Sequence, residues 1–146
     1  MDWLRENSVS RGARVYTDAN AWICAQDPAP RFDELREWFN KARRGEWKIV
    51  TSQLTLAECL VWPLESRDRV LKRAFEKALA PSPQLVVLPV SREILLEAAV
   101  LRAARRLEMP DAIHLASAKH ARCTHFLTGD EALARAVHIP VLRLEI

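Results

Sequence analysis

The order of strand-like and helix-like segments predicts an α/β fold: a three-layer α/β/α sandwich built on a mostly parallel, roughly five-stranded sheet. Two observations carry that expectation. Short runs rich in β-branched and apolar residues, at 13–17, 47–51, 85–88, 125–128 and 140–144, alternate with longer segments whose apolar residues recur at helical spacing. The 146 residues, 49% hydrophobic with only 3 Gly, suit one compact domain, expected over 14–146 behind a flexible leader at 1–13.

The first strand ends at Thr17 and delivers Asp18 at its tip, with the helix-compatible Ala19, Ala21, Trp22 and Ile23 following. Asp27, Pro28 and Pro30 break the regular structure. Over 31–44, Phe32, Leu35, Phe39 and Ala42 share a helical face, with acids early, Lys41, Arg43 and Arg44 late, and Gly45 as the stop. After the second strand, Ser52 is placed to cap a helix at 53–61 that carries Leu54, Leu56, Ala57, Glu58 and Leu60, with Pro63 as its end. The segment 66–80 repeats the amphipathic pattern through Val70, Leu71, Ala74, Phe75, Ala78 and Leu79. Beyond the third strand, a helix over 91–107 turns Ile94, Leu95, Ala98 and Leu101 inward. Met109, Pro110 and Asp111 open the next helix, Ala-rich, apolar on nearly every side and so expected to pack centrally. The fourth strand breaks at Gly129 and Asp130 into a short helix at 131–136, and the last strand follows.

Lys and Arg number 22 against 19 Asp and Glu, a formal charge of +3 that permits a polyanionic partner without requiring one. No uninterrupted apolar stretch is long enough to span a bilayer, and the first residues lack the apolar core of a signal peptide, which points to the cytoplasm. Cys24, Cys59 and Cys123 are odd in number, far apart and set in apolar runs. They read as buried small hydrophobes in a reducing compartment rather than a disulfide or zinc framework.

Four acids stand where this topology could gather them. Parallel strands share a carboxyl edge, so Asp18 after the first strand and Asp130 after the fourth come to one side of the sheet despite their separation in sequence. Asp111 opens a helix, and Glu58 lies in the helix behind the second strand. Each has a plainer reading: Asp18 and Asp130 as N-caps, Asp111 as a complement to the helix dipole, Glu58 as an edge-exposed residue. Glu58 is the hardest to set aside, because TLAECL surrounds it with apolar neighbours and a buried Glu is almost never left without a partner. Four carboxylates at one edge repel one another, and a divalent cation is the simplest compensation. Hard oxygens without a His/Cys cluster favour Mg2+ or Mn2+ over zinc, and such a site activates water and clamps a phosphoryl group.

The stretches YTDAN around Asp18, TLAECL around Glu58, MPDAIHLASA around Asp111 and FLTGD around Asp130 resemble the PIN domain, the fold of VapC-type toxin nucleases. The resemblance runs from about 14 to 144, and DAIHLASA followed by a strand ending in T-x-D is its most specific part. It implies a Mg2+/Mn2+-dependent endoribonuclease in which the matched acids Asp18, Glu58, Asp111 and Asp130 hold metal and a water attacks the RNA phosphodiester in line. Thr128 matches a hydroxyl position that orients a water or the acid, while Asn20 and His114 are placed behind the acids. Gly129 departs from the larger residue many members carry, which leaves the acid in place and bears on the shape of the loop. The resemblance further implies a toxin–antitoxin pair, with an antitoxin segment crossing the acidic groove and setting an Arg or Lys among the carboxylates. It also implies a homodimer, for which the amphipathic segments 31–44 and 66–80 are the expected interface.

His114, three residues after Asp111, reads first as a packed or hydrogen-bonded core histidine, with contact to a phosphate as the alternative. Arg43, Arg44, Arg69, Arg73, Arg102 and Arg105 read as solvated faces that could steer RNA, and Trp38 and Trp62 as packing or interface residues. Two other functions compete with the nuclease. One is a PIN scaffold that binds RNA or a protein partner without catalysis. The other is a haloacid-dehalogenase-like phosphatase, disfavoured because that chemistry expects an acid two residues after the nucleophilic Asp, where Asn20 stands.

Overall fold

Five strands, β1 (Arg14–Thr17), β2 (Lys48–Ser52), β3 (Leu85–Leu88), β4 (His125–Thr128) and β5 (Val141–Arg143), form one parallel sheet in the order β3-β2-β1-β4-β5. The computed structural model describes residues 3–145. The first two residues of the expected leader and the last of the expected domain, Met1, Asp2 and Ile146, lie outside the described residues. From β1 the chain steps outward through β2 to β3, then returns to the other side of β1 for β4 and β5. That reversal makes the β1/β4 pair the switch point, and the crevice beyond their carboxyl ends is where an open parallel sheet binds ligands.

Alternation along the strands sorts side chains into two cores. Val15, Ile49, Leu127 and Leu142 point to the face covered by α1 (Trp3–Glu6), α2 (Ala19–Gln26), α3 (Asp33–Arg43), α4 (Gln53–Glu65) and α5 (Arg69–Ala78). Tyr16, Val50 and Phe126 point to the face under α6 (Arg92–Arg105), α7 (Met109–His120) and α8 (Glu131–Ala136). A third cluster, Ile94, Ala98, Ala112, Ile113 and Ala116, joins α6 to α7. The result is the expected three-layer sandwich, with α7 buried from Ala112 to Ala118.

Local signals account for most element ends. Ser52, Asp68 and Ser91 accept from the amides of Leu54, Leu71 and Ile94 at 3.0, 2.9 and 3.2 Å, satisfying N–H groups that a helix start leaves unpaired. Gly45 ends α3 in the left-handed region, at φ +89°, which only glycine adopts without strain. Pro63, in contrast, does not end its helix. It lies buried inside α4, which runs on to Glu65, because the fixed φ of proline is itself helical and the helix closes within the next turn.

Trp3, within the segment expected as a loose leader, donates through its indole to the Arg143 carbonyl at 2.7 Å and through its amide to Glu34 at 3.0 Å. The apolar stripes assigned to a dimer interface are largely used inside the chain: Leu35, Trp38, Phe39 and Ala42 of α3 and Phe75 of α5 are buried together with Trp22 and Trp47, while Val70 of α5 stays exposed. An amphipathic stripe reports that something covers it, not what. The apolar side chains left exposed lie mainly on α4 (Val61, Trp62, Leu64) and α6 (Leu95, Leu96, Val100), Leu95 having been expected inside.

All three cysteines are free and buried. Burial pushes the Cys59 and Cys123 thiols up to about 12, so neither is a nucleophile at neutral pH. Among the described residues no helix is long and apolar enough to cross a membrane.

Candidate functional site

β1 is the central strand, and Val15, Tyr16 and Thr17 are fully buried within it. Asp18, at its carboxyl end, is only 5% exposed. It occupies the N-cap position of α2 yet makes no capping hydrogen bond; the Asn20 amide lies near enough to favour the charged form without closing one. The plain cap reading therefore fails for this residue. Oδ2 accepts from the Thr128 hydroxyl at 2.6 Å, while Oδ1 is buried with no hydrogen-bond partner. Burial pushes the Asp18 carboxyl above the usual range; the Thr128 bond and the His114 ring oppose this, and the Glu58 charge adds to it.

Thr128 is the last residue of β4 and is fully buried. Its Oγ1 also accepts from the Asp130 amide at 3.1 Å, so one hydroxyl ties the tip of β1 to the turn after β4. Asp130 is a genuine cap, its Oδ1 accepting from the Leu133 amide at 3.0 Å. Gly129 between them needs no left-handed backbone.

Glu58 is not an edge-exposed bystander. Its Oε1 lies 2.6 Å from His114 Nε2, and His114 Nδ1 lies 2.7 Å from the Tyr16 hydroxyl. His114 is thus a hydrogen-bonded core histidine, 2% exposed, with an acid of the site as one of its two partners. Asp111, in the first turn of α7, is half-buried, and the cap position there belongs to Glu108. Burial raises its carboxyl above the usual range, as do the charges of Asp130, Glu58 and Glu108, while His114 opposes them. Asn20, the second residue of α2, is half-buried beside Asp18.

Asp18, Glu58, Asp111 and Asp130 therefore share one electrostatic neighbourhood, with Thr128 and His114 bonded to two of them. Among the described residues no three Asp, Glu, His or Cys side chains stand close enough to enclose an ion as placed. The set fits a hard divalent cation through its chemistry: a buried Asp18 oxygen without a partner, with Glu58 near enough to act on that carboxyl and, in turn, Glu58 and Asp130 acting on Asp111.

Tyr16 was not singled out from the sequence, because a Tyr in a β-branched run reads as packing. A signal was present in combination. Tyr16 lies two residues before Asp18, on the same side of the strand, and His114 lies one helical turn after Asp111. The arginines expected to steer RNA are partly committed elsewhere: Arg44 pairs with Glu37 at 2.9 Å, Arg43 with Asn40 at 2.8 Å, Arg102 with the Leu107 carbonyl at 2.7 Å and Arg105 with the Ala136 carbonyl.

A parallel sheet with coupled carboxylates gathered at its switch point defines an α/β domain with an acidic, oxygen-lined site. The chain belongs to the PIN domain family, whose model matches residues 15–139. Among solved structures, the fold is similar to that of VapBC2 from Rickettsia felis bound to a promoter DNA fragment, at 12% identity over 90% of this chain and 99% of that one, with a TM-score of 0.69. A toxin–antitoxin complex from Klebsiella pneumoniae matches at 23% identity, 90% and 99% coverage and a TM-score of 0.65. VapC20 of Mycobacterium tuberculosis, described as a sarcin-ricin loop cleaving toxin, matches at 18% identity, 84% and 94% coverage and a TM-score of 0.65. At these identities the likeness is one of fold. No curated protein sequence matches the chain significantly.

Proposed function

We propose that the chain is a divalent-metal-dependent endoribonuclease and the toxin of a type II toxin–antitoxin pair, acting in the cytoplasm. The observation that carries this reading is Asp18, a carboxylate held in the core at the switch point with one oxygen unpartnered. Burial of such a group costs stability unless a ligand uses it. Asp18, Glu58, Asp111 and Asp130 would hold Mg2+ or Mn2+. When bound, such an ion lowers the pKa of a water and neutralises charge on phosphoryl oxygens. The chain's own groups do the positioning: Thr128 orients Asp18, and Asp130 is fixed by its cap on α8.

The toxin role is supported by the fold's likeness to chains of toxin–antitoxin complexes and by a groove of about 540 Å³. Ile23, Phe32, Cys59, Trp62 and Leu71 line it with Glu58, which suits an apolar peptide ending in an Arg or Lys. A homodimer belongs to the same proposal, with Leu95, Leu96 and Val100 of α6 as the surface left for a second copy. Sedimentation velocity over a dilution series is expected to show a dimer dissociating to monomer, and a monomer throughout would reject it.

The purified chain is expected to cleave RNA in Mn2+ or Mg2+, to stop in EDTA and to resume when the metal is restored. Its induced expression is expected to arrest growth. Absence of both turnover on RNA and Mn2+ binding by calorimetry would favour a scaffold that binds RNA or protein without catalysis.

A further inference from the structure

We propose that Tyr16 and His114 are positioning residues for Glu58: the buried Tyr16 hydroxyl fixes the His114 ring, whose Nε2–H holds Glu58 Oε1 and leaves Oε2 as the donor available to a cation. The inference rests on the metal-dependent reading above and assigns a role to two residues outside the acid set.

The direction of each bond follows from the groups present. An ionised carboxylate can only accept, so His114 Nε2 carries the proton across the 2.6 Å contact. In the Nε2–H tautomer the lone pair lies on Nδ1, which accepts from the Tyr16 hydroxyl at 2.7 Å. Burial raises the pKa of that hydroxyl, so it keeps its proton as the donor.

The anchor is rigid. Tyr16 is fully buried, with its ring centroid 5.0 Å from that of Phe126 and 5.7 Å from that of His114. It is the chain's only Tyr, and a Phe would fill the same volume, so the hydroxyl is the part that packing does not explain. Glu58 needs such an anchor more than Asp18 does. Its side chain is 35% exposed and has three torsions to order, whereas Asp18 is short and already buried. The relay also joins β1, whose carboxyl end presents Asp18, to α4 and α7, which carry Glu58 and Asp111.

The test is calorimetric titration of the full chain with Mn2+, checked for folding by circular dichroism. His114→Leu is expected to weaken Mn2+ binding about tenfold, the scale on which groups behind metal ligands act, and Tyr16→Phe by a smaller factor. His114→Gln, whose amide can still donate toward Glu58, is expected to stay within about threefold of wild type. In a Glu58→Gln background, His114→Leu is expected to add nothing. Nitrogen-15 shifts of the wild-type imidazole, which need no variant to fold, are expected to show the Nε2–H tautomer. An Nδ1–H tautomer, or wild-type affinity in His114→Leu and Tyr16→Phe alongside weakened binding in Glu58→Gln, would overturn the positioning role alone. Unchanged Mn2+ binding in both Glu58→Gln and Asp18→Asn would overturn the metal reading and this inference with it.

Discussion

Asp18→Asn is expected to lower RNA cleavage at least about 100-fold and, in metal-free protein, to raise stability by about 1 kcal/mol, or about 3 °C in Tm. The two effects have one cause. Burial lifts the Asp18 carboxyl above its ordinary pKa, so the folded chain binds that proton more tightly than the unfolded chain does. With the folded value the higher, stability falls as pH rises from the unfolded value through the folded one, and ionising the buried group is a net cost. Asn removes the charge and the repulsion from Glu58, while its Oδ1 can still accept from Thr128. Activity falls because the oxygen lost is the unpartnered one assigned to the cation. Thermal melts with and without Mn2+ separate the effects: the metal should protect the wild type and leave the variant unmoved. A metal-free variant less stable than wild type would mean that Asp18 holds the fold together rather than serving a ligand.

Much of this was legible in the sequence because the signals were local. Strand runs and cap residues fall where they were expected: Leu85–Leu88, His125–Thr128 and the helix Glu131–Ala136 match to the residue. The gathering of Asp18 and Asp130 followed from parallel topology alone. What escaped depends on distant partners. Spacing shows that Glu58 needs a partner but cannot say that the partner is His114, 56 residues later. Hydrophobicity hid the role of Tyr16, whose ring packs while its hydroxyl bonds. The stripe of α3 and Phe75 of α5 announced burial without naming the surface that covers them, and that surface is the chain's own core, while Val70 of α5 stays exposed. Asp18 and Asp130 look alike in sequence, each an acid between a strand and a helix, yet only Asp130 caps. The difference is one of direction: the Asp18 side chain is engaged by Thr128, across the switch point, instead of by its own helix.

That engagement makes Thr128→Val the second large expected effect. Valine fills the same volume, so the change isolates the hydroxyl. Removing it leaves Asp18 with neither oxygen hydrogen-bonded and the Asp130 amide without its acceptor. A buried group stripped of its partner costs about 1–3 kcal/mol, more when charged, so a loss near 3 kcal/mol is expected from urea denaturation. Thr128→Ser keeps the hydroxyl and gives up only a methyl, a loss of about 1 kcal/mol. The sharper comparison is the double variant. Against Asp18→Asn the penalty of Thr128→Val should shrink, because the group left unpaired is then a neutral amide, and that shortfall from additivity measures the coupling between hydroxyl and carboxylate. A Thr128→Val protein with the wild-type urea midpoint would show that the 2.6 Å contact contributes nothing to the fold, and Asp18 would then need another source of orientation. With the predicted loss, the same hydroxyl is what permits a charge to stand in the core at the switch point, ordered before any ligand arrives.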